Sequence, residues 1–458
     1  MALNIVIMAA GKGTRMKSGY PKVLHRLAGL SLLQHVIKAT AGLAAERTIV
    51  VTGHGADAVE QAAAAPGLRF VRQMPQLGTG HAVQQAVPEL ADDPQGSTLI
   101  LNGDVPLIAE ATARALVEAC GGRRLALLTV QLDDPTGYGR IVRGGDAVRA
   151  IVEHKDASAA QRAIREVYTG VLAAPTAWLK LAVMALRNDN AQREYYLTDL
   201  VAAAVADGVP VVACAAGSDT EVLGVNSPAQ LADLERRFQR RQAEALMEEV
   251  GVRLADPARF DLRGTLACGS DVEIDVNCVF EGAVALADGV RIGPNCVIRD
   301  AQIGAGAVIH PFTHIEGASV GPGARVGPYA RLRPGAQLGP EVHIGNFVEV
   351  KNATLGRGAK ANHLAYLGDA QVGERVNFGA GSITANYDGA NKLRTVIGDD
   401  VHVGSNCVLI APVALGDGAT IGGGSVIARD APAGELSVAR AKQITVAGWK
   451  RPLKKTNN

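Results

Sequence analysis

Three short segments in the first half of the chain carry groups suited to phosphate chemistry. The run Met8-Ala9-Ala10-Gly11-Lys12-Gly13-Thr14-Arg15-Met16, with Pro21-Lys22 close behind, gathers glycines and cations in one loop. Closely spaced glycines let backbone N–H groups approach phosphate oxygens without a Cβ in the way. Arg15 and Lys22 add mobile positive charge, which suits a triphosphate whose pyrophosphate must leave. No Gly-Lys-Ser/Thr closes the loop, so it is not a P-loop, and Met16 stands where a dinucleotide fingerprint needs glycine. From the residues alone, two readings stand: an anion-binding loop, or an ordinary strand-to-helix turn with surface cations.

The second segment, Gln73-Met74-Pro75-Gln76-Leu77-Gly78-Thr79-Gly80-His81, is a polar loop able to read a base edge through amides and backbone. The third, Leu99-Ile100-Leu101-Asn102-Gly103-Asp104-Val105-Pro106, places a carboxylate where an apolar run ends. Asp104 there suits Mg²⁺, which takes a few carboxylate oxygens together with substrate phosphates. The competing role for Asp104 is a helix N-cap.

In the second half, Arg333 and Lys351 lie eighteen residues apart, three units of a six-residue repeat. If three units make one turn, the two cations stack at one edge, a clamp for a sugar phosphate. The alternative is solvated surface charge. His363, in Asn362-His363-Leu364-Ala365-Tyr366-Leu367-Gly368, suits removal of a proton from an attacking amine. By spacing alone, His310, His314, His343 and His402 compete for that role.

The elements that must position these groups fall into two kinds. Up to about residue 227, Ile5 to Ala9, Arg47 to Thr52, Ser97 to Leu101 and Leu125 to Val130 read as buried strands. Ser31 to Leu43, Ala56 to Ala64, Gly80 to Leu90 and Glu110 to Cys120 read as helices. Such alternation predicts a mostly parallel α/β sheet, with ligands outside the carboxyl ends of its strands. Pro228 to Val250, without an internal glycine, predicts one long linking helix. From about Val290, aliphatic residues recur every six positions, as in Ile292, Ile298, Ile303, Ile309 and Ile315, and again from Ile397 to Ile427. That is the hexapeptide pattern of a parallel β-helix. Between Phe378 and Ile397 the period breaks at Thr384 to Lys392, which must leave the coil as a loop. The expected organisation is therefore 1–227, a helix over 228–250, and 251–458.

Composition agrees. The 458 residues carry a net charge of +1, too balanced for a nucleic-acid-coating protein. Hydrophobic residues make up 48% but aromatics only 4%, with 53 glycines, which suits tightly coiled strands. No apolar run is long enough to cross a bilayer and no signal peptide is read, so a cytoplasmic protein without a membrane partner is expected. The six scattered cysteines form no C-x-x-C pair and read as free thiols.

G-x-G-T-R-M, the Pro21-Lys22 pair, L-G-T-G and N-G-D-x-P resemble nucleotidyltransferases that join a sugar 1-phosphate to a nucleoside triphosphate. With the hexapeptide tail, nearly the whole chain resembles the bifunctional bacterial N-acetylglucosamine-1-phosphate uridyltransferase/glucosamine-1-phosphate acetyltransferase family. The resemblance implies a Rossmann-like nucleotidyltransferase domain followed by a left-handed parallel β-helix. It implies that Met8, Ala9, Ala10, Gly11, Lys22, Gln73, Gly78 and Thr79 hold the nucleotide, and that Asn102 and Gly103 belong to the same UDP-sugar site. Gly139, Glu153 and Tyr168 would face the sugar, while Asp104 and Asn226 would hold Mg²⁺. Arg15 and Lys22 would neutralise the leaving pyrophosphate.

In the second half, Lys-x-x-H-L-x-Y-x-G-D matches in register from Lys360 to Asp369, which implies that His363 is the base. Arg333, Lys351, Tyr366 and Asn377 would then hold the sugar phosphate. Ala380, Asn386, Tyr387, Ser405, Gly423 and Arg440 would line the acetyl-coenzyme A site. The implied substrates are glucosamine 1-phosphate, acetyl-coenzyme A, N-acetylglucosamine 1-phosphate and UTP, and the implied assembly is a homotrimer. Two departures stand out: Tyr168 where the family carries asparagine, and Gly423 where alanine is more common. The tail Lys450-Arg451-Pro452-Leu453-Lys454-Lys455 reads either as a partner for coenzyme A phosphates or a neighbouring subunit, or as a solvated end.

Overall fold

Alternate residues of the strand Leu3–Met8 enter opposite cores: Ile5 and Ile7 one, Val6 the other. The strand Ser97–Asn102 repeats this, with Leu99 and Leu101 on one side and Ile100 on the other. Side chains alternate along a strand, so near-continuous apolar runs belong to a sheet covered on both faces. The computed structural model describes residues 2–190 and 192–452. The chain divides into two compact units, one ending at Phe238 and one beginning at Gln239.

In the first unit a nine-stranded sheet forms among the described residues. Its main path runs Val211–Ala215, Leu125–Gln131, Glu166–Pro175, Ser97–Asn102, Leu3–Met8, Arg47–Thr52, Leu68–Arg72. All neighbours on that path are parallel except around Glu166–Pro175, which runs antiparallel to both flanking strands. The hairpin Gly139–Gly144/Ala147–Val152 joins the sheet through the same strand. The expected strands are all present. The hairpin, the antiparallel strand and the edge strands Leu68–Arg72 and Val211–Ala215 add to them.

The expected helices appear as Leu32–Thr40, Ala56–Ala63, Thr79–Ala86 and Glu110–Cys120. The first starts sharply because Ser31 and Gln34 form a capping box, with bonds of 2.9 and 3.1 Å. Such a cap contributes about 1 kcal/mol.

The linking helix is Pro228–Ala245, extended by a π-helical turn Leu246–Val250 and closed by Gly251. Within the first unit Leu231, Leu234 and Phe238 pack with Met16, Leu27 and Leu32. Ala243 and Leu246 belong to the core of the second unit.

The second unit is a parallel β-helix. Ile274, Ile292, Ile309, Val326, Ile344, Ala361, Phe378, Val403 and Ile421 pair in succession up one inner column. All nine are buried. Burying each large aliphatic side chain contributes about 1.5–3 kcal/mol. The coil starts earlier than the repeat pattern indicates, at Arg253–Leu254 and Phe260–Cys268. The first turns escape the six-residue pattern because Phe260–Cys268 and Cys278–Leu286 are nine-residue strands, paired throughout. The step between paired residues is 18 at Asn277/Asn295 and 25 at Asn377/His402, where the expected loop leaves the coil. All six cysteines are free. No described helix is long and apolar enough to cross a membrane. Of the basic tail, Leu453, Lys454 and Lys455 lie outside the described residues.

Candidate functional sites

In the first unit, the loops that leave Leu3–Met8, Leu68–Arg72 and Ser97–Asn102 surround two adjoining cavities of about 600 and 280 Å³. Met8, Thr79, Asn102 and Asp104 line both. The larger is walled by Ala9, Ala10, Gly11, Lys22, Gln73 and Gly78. The smaller is walled by Arg15, Gly139, Glu153, Tyr168 and Asn226. Of the residues expected here, Gly103 alone stands behind the walls, its N–H bonded to Met8 O at 2.9 Å.

Local backbone explains two of the glycines. Gly13 has φ +60, and a Cβ there would lie 2.6 Å from Lys22 Cβ. Gly170 has φ +88, and a Cβ there would lie 2.0 Å from Asn102 Nδ2. Both sites need a left-handed backbone and a bare α-carbon. Gln73 is buried, and its Nε2 donates to Gly78 O at 2.8 Å, tying the two ends of its loop together.

Lys22 Nζ bonds to the Asp104 carboxylate and, at 3.1 Å, to Asn226 Oδ1. A carboxylate and an amide oxygen therefore converge on one positively charged point. That all-oxygen donor set fits a hard divalent cation completed by water and phosphate oxygens. Among the described residues no group of three or more acidic, His or Cys side chains forms a preformed metal cage.

The smaller cavity has an unusual wall. Thr198 Oγ1 donates to Glu153 Oε1 at 3.1 Å. Burial pushes the Glu153 carboxyl above its ordinary pKa, opposed by the Thr198 bond. Tyr168 packs in the core with Ile141, Ile151 and Leu172, and its hydroxyl is buried without a partner. Burial, and the charge of Glu153, push the Tyr168 pKa up.

In the second unit, Arg333 N bonds to Val350 O at 2.8 Å, and Lys351 pairs with Gly368 on the next coil. Arg333 and Lys351 are thus stacked, as the eighteen-residue spacing requires. Arg333 Nη1 donates to Glu349 Oε1 at 2.8 Å. The Lys392 ammonium lies against that of Lys351 and, with Arg333, lowers the Lys351 pKa from the ordinary lysine value. The carboxylates of Glu349, paired with Arg333, and of Asp369, which opposes the lowering of the Lys351 pKa, stand at the same place. Lys392 was not singled out from the sequence: the insertion breaks the spacing arithmetic that would have brought it to Lys351. Tyr366 folds over Gly368, where a Cβ would come 2.3 Å from the phenol oxygen.

His363 and Tyr366 sit on either side of one coil corner, turned by Leu364 at φ 51. Gly381 N bonds to His363 O, Asn406 N to Ala380 O and Gly424 N to Ser405 O. His363, Ala380, Ser405 and Gly423 therefore follow one another down that corner, and Arg440 Nη1 donates to Gly423 O at 2.6 Å. A Cβ at Gly423 would come no closer than 3.4 Å, to Ser405 O, so alanine also fits there. Asn377 lies on the His363 face, where Lys360 pairs with it, rather than beside Arg333. In the inserted loop Asn386 Nδ2 donates to Asp369, and Tyr387, exposed, bonds to Gly389 O at 2.6 Å.

Comparison with known proteins agrees with both halves. Residues 5–254 match the MobA-like NTP transferase domain, and residues 317–352 and 394–429 match the bacterial transferase hexapeptide repeats. A Bifunctional protein GlmU from Methylibium petroleiphilum is 76% identical over 99% of this chain and 100% of its own length. The chain belongs to the bifunctional GlmU family. Two further members, from Albidiferax ferrireducens and Azoarcus sp., are 64% and 59% identical, each over 99% of this chain and 100% of its own length.

Proposed function

We infer that the chain makes UDP-N-acetylglucosamine in two steps: acetyl transfer to glucosamine 1-phosphate, then uridylyl transfer to the product with release of pyrophosphate. What supports this reading is that Lys22 meets Asp104 in the sheet unit, that Arg333 stacks over Lys351 on the β-helix that carries His363, and that the chain is 76% identical to a bifunctional GlmU over 99% of its residues.

In the β-helix, Arg333, Lys351 and Lys392 hold the sugar phosphate, with Tyr366 beside them and Asn377 on the His363 face. His363 takes a proton from the sugar amine as its nitrogen attacks the thioester carbonyl, and the coenzyme A thiolate leaves. Ala380, Ser405, Gly423 and Arg440 line the path of acetyl-coenzyme A down the corner, with Asn386 and Tyr387 at the loop.

In the sheet domain, the phosphate oxygen of N-acetylglucosamine 1-phosphate is the nucleophile, so no protein nucleophile is needed. The Ala9-to-Gly13 loop, Gln73 and Thr79 hold the nucleotide and align its α-phosphorus, and Gly139 and Glu153 hold the sugar. Arg15 and Lys22 meet the charge that grows on pyrophosphate. Asp104 and Asn226 would hold Mg²⁺, whose contribution is charge neutralisation at the phosphates.

A cytoplasmic homotrimer belongs to the same proposal. The exposed apolar corner formed by Phe312, Tyr329, Phe347 and Leu364 supports assembly, its rings stacked at 4.8 and 5.4 Å.

The test is one reaction mix of acetyl-coenzyme A, glucosamine 1-phosphate, UTP and Mg²⁺, with free thiol and pyrophosphate read separately. Both products should form, and His363→Ala should abolish the thiol while leaving pyrophosphate release from supplied N-acetylglucosamine 1-phosphate intact. Thiol release retained by that variant would remove His363 as the base.

A further inference from the structure

Asn346 lies one coil before His363 on the same corner. The two residues pair in the parallel ladder, and Leu364 N bonds to Asn346 O at 3.0 Å. Their side chains meet, with His363 Nδ1 2.8 Å from Asn346 Oδ1. An amide oxygen carries no hydrogen, so the proton in this contact sits on Nδ1. A neutral imidazole protonated at Nδ1 has its lone pair on Nε2.

We propose that Asn346 is a positioning residue for acetyl transfer: it fixes the His363 ring and the tautomer in which Nε2 accepts the proton. The inference rests on the reading of His363 as the base.

The fold makes the contact reproducible. Phe347 and Leu364, the residues immediately after each partner, both take left-handed backbone, φ 57 and φ 51. Bulky residues adopt that region only at a steric cost, here offset in part by Phe347 stacking on Tyr329. Both coils therefore turn the same corner in the same way, and the two side chains leave it in step.

The identity of the residue matters too. An aspartate would supply the same acceptor oxygen but also a negative charge that favours imidazolium, the form unable to accept a proton. Asparagine orients the ring while adding no charge. His343 is the neighbouring ionisable group on this face, held below its ordinary pKa by burial and by Arg325, His310, Lys360 and His363.

The alternative is an asparagine ladder that merely binds coils together, as Asn277 and Asn295 do at 3.1 Å. Steady-state acetyl transfer by the full-length protein separates the two. Asn346→Ala should lower kcat about 10- to 100-fold with little change in KM for either substrate. Asn346→Asp should recover most of that loss at alkaline pH and move the acidic limb of the pH profile upward. If Asn346→Ala does not fold, Asn346→Leu, which keeps the volume without an acceptor, takes its place beside Asn346→Asp. A normal kcat without an acceptor, or an aspartate variant no better than alanine or leucine across the pH range, would overturn the proposal. His363→Ala in the same assay keeps the two questions apart: activity there refutes the base itself, not its positioning.

Discussion

Lys22 and Asp104, 82 residues apart in sequence, form an ion pair in the wall of the larger cavity of the sheet unit. Lys22 also reaches Asn226, so one ammonium satisfies both oxygens that a divalent ion would use. In this structure the Lys22 ammonium therefore occupies the point on which the Asp104 and Asn226 oxygens converge.

This arrangement predicts a clean separation of the two activities. Asp104→Ala and Lys22→Ala should each cut uridylyl transfer by about 100-fold or more while leaving acetyl transfer unchanged. Chelation with EDTA should stop pyrophosphate release and spare thiol release. The two-product assay measures both. Near-normal pyrophosphate release from either variant contradicts the assignment.

Lys392 should behave as part of the phosphate clamp. Replacing it with alanine removes one of three adjacent cations and relieves its repulsion on Lys351. The expected result is a raised KM for glucosamine 1-phosphate, about tenfold or more, with the KM for acetyl-coenzyme A nearly unchanged. A rise confined to acetyl-coenzyme A would assign Lys392 to the other substrate.

Tyr168 carries a buried hydroxyl without a hydrogen-bond partner. Such a group imposes a desolvation cost of about 1–3 kcal/mol. Tyr168→Phe removes the cost and keeps the ring in its apolar packing, so the urea midpoint should rise or hold. A clear loss of stability would mean that the hydroxyl is satisfied in solution. Sugar preference measured on the same variant tests whether the hydroxyl also faces the substrate.

Glu153 predicts a pH-dependent effect. Its carboxyl is held above the ordinary range by burial, with Asp156, Asp199 and Glu194 adding to the shift. Ionised Glu153 therefore costs folding free energy at pH above its folded-state pKa, and costs nothing below its unfolded value, about 4.3. Glu153→Gln retains the acceptor for Thr198 and should raise the urea midpoint near neutral pH. That gain should fade as pH falls toward about 4. A gain independent of pH would place its origin elsewhere, and loss of sugar binding is the expected functional cost.

Much of this molecule is legible from spacing. Ile292, Ile309, Val326 and Ile344 announce a coil because one inward position per face repeats. Arg333 over Lys351 follows from the same arithmetic. These are local properties, fixed by side-chain period and backbone sterics, and a single sequence expresses them fully. The run Ala9 to Gly13 leaves two readings from spacing, an anion-binding loop or a strand-to-helix turn, and only the fold places it in a cavity wall.

Tertiary structure alone decided the rest. Lys22 meets Asp104, Lys392 meets Lys351, and Asn346 meets His363 because distant loops and successive coils close on each other. Lys22, Lys351, Lys392 and Asn346 do not differ in type from ordinary surface lysines or asparagines. The antiparallel strand Glu166–Pro175 buries Tyr168 for the same reason: its place is set by which strands flank it. Periodicity records which way a side chain faces, but what it faces depends on chain closure over tens of residues, and that is a property of the folded molecule.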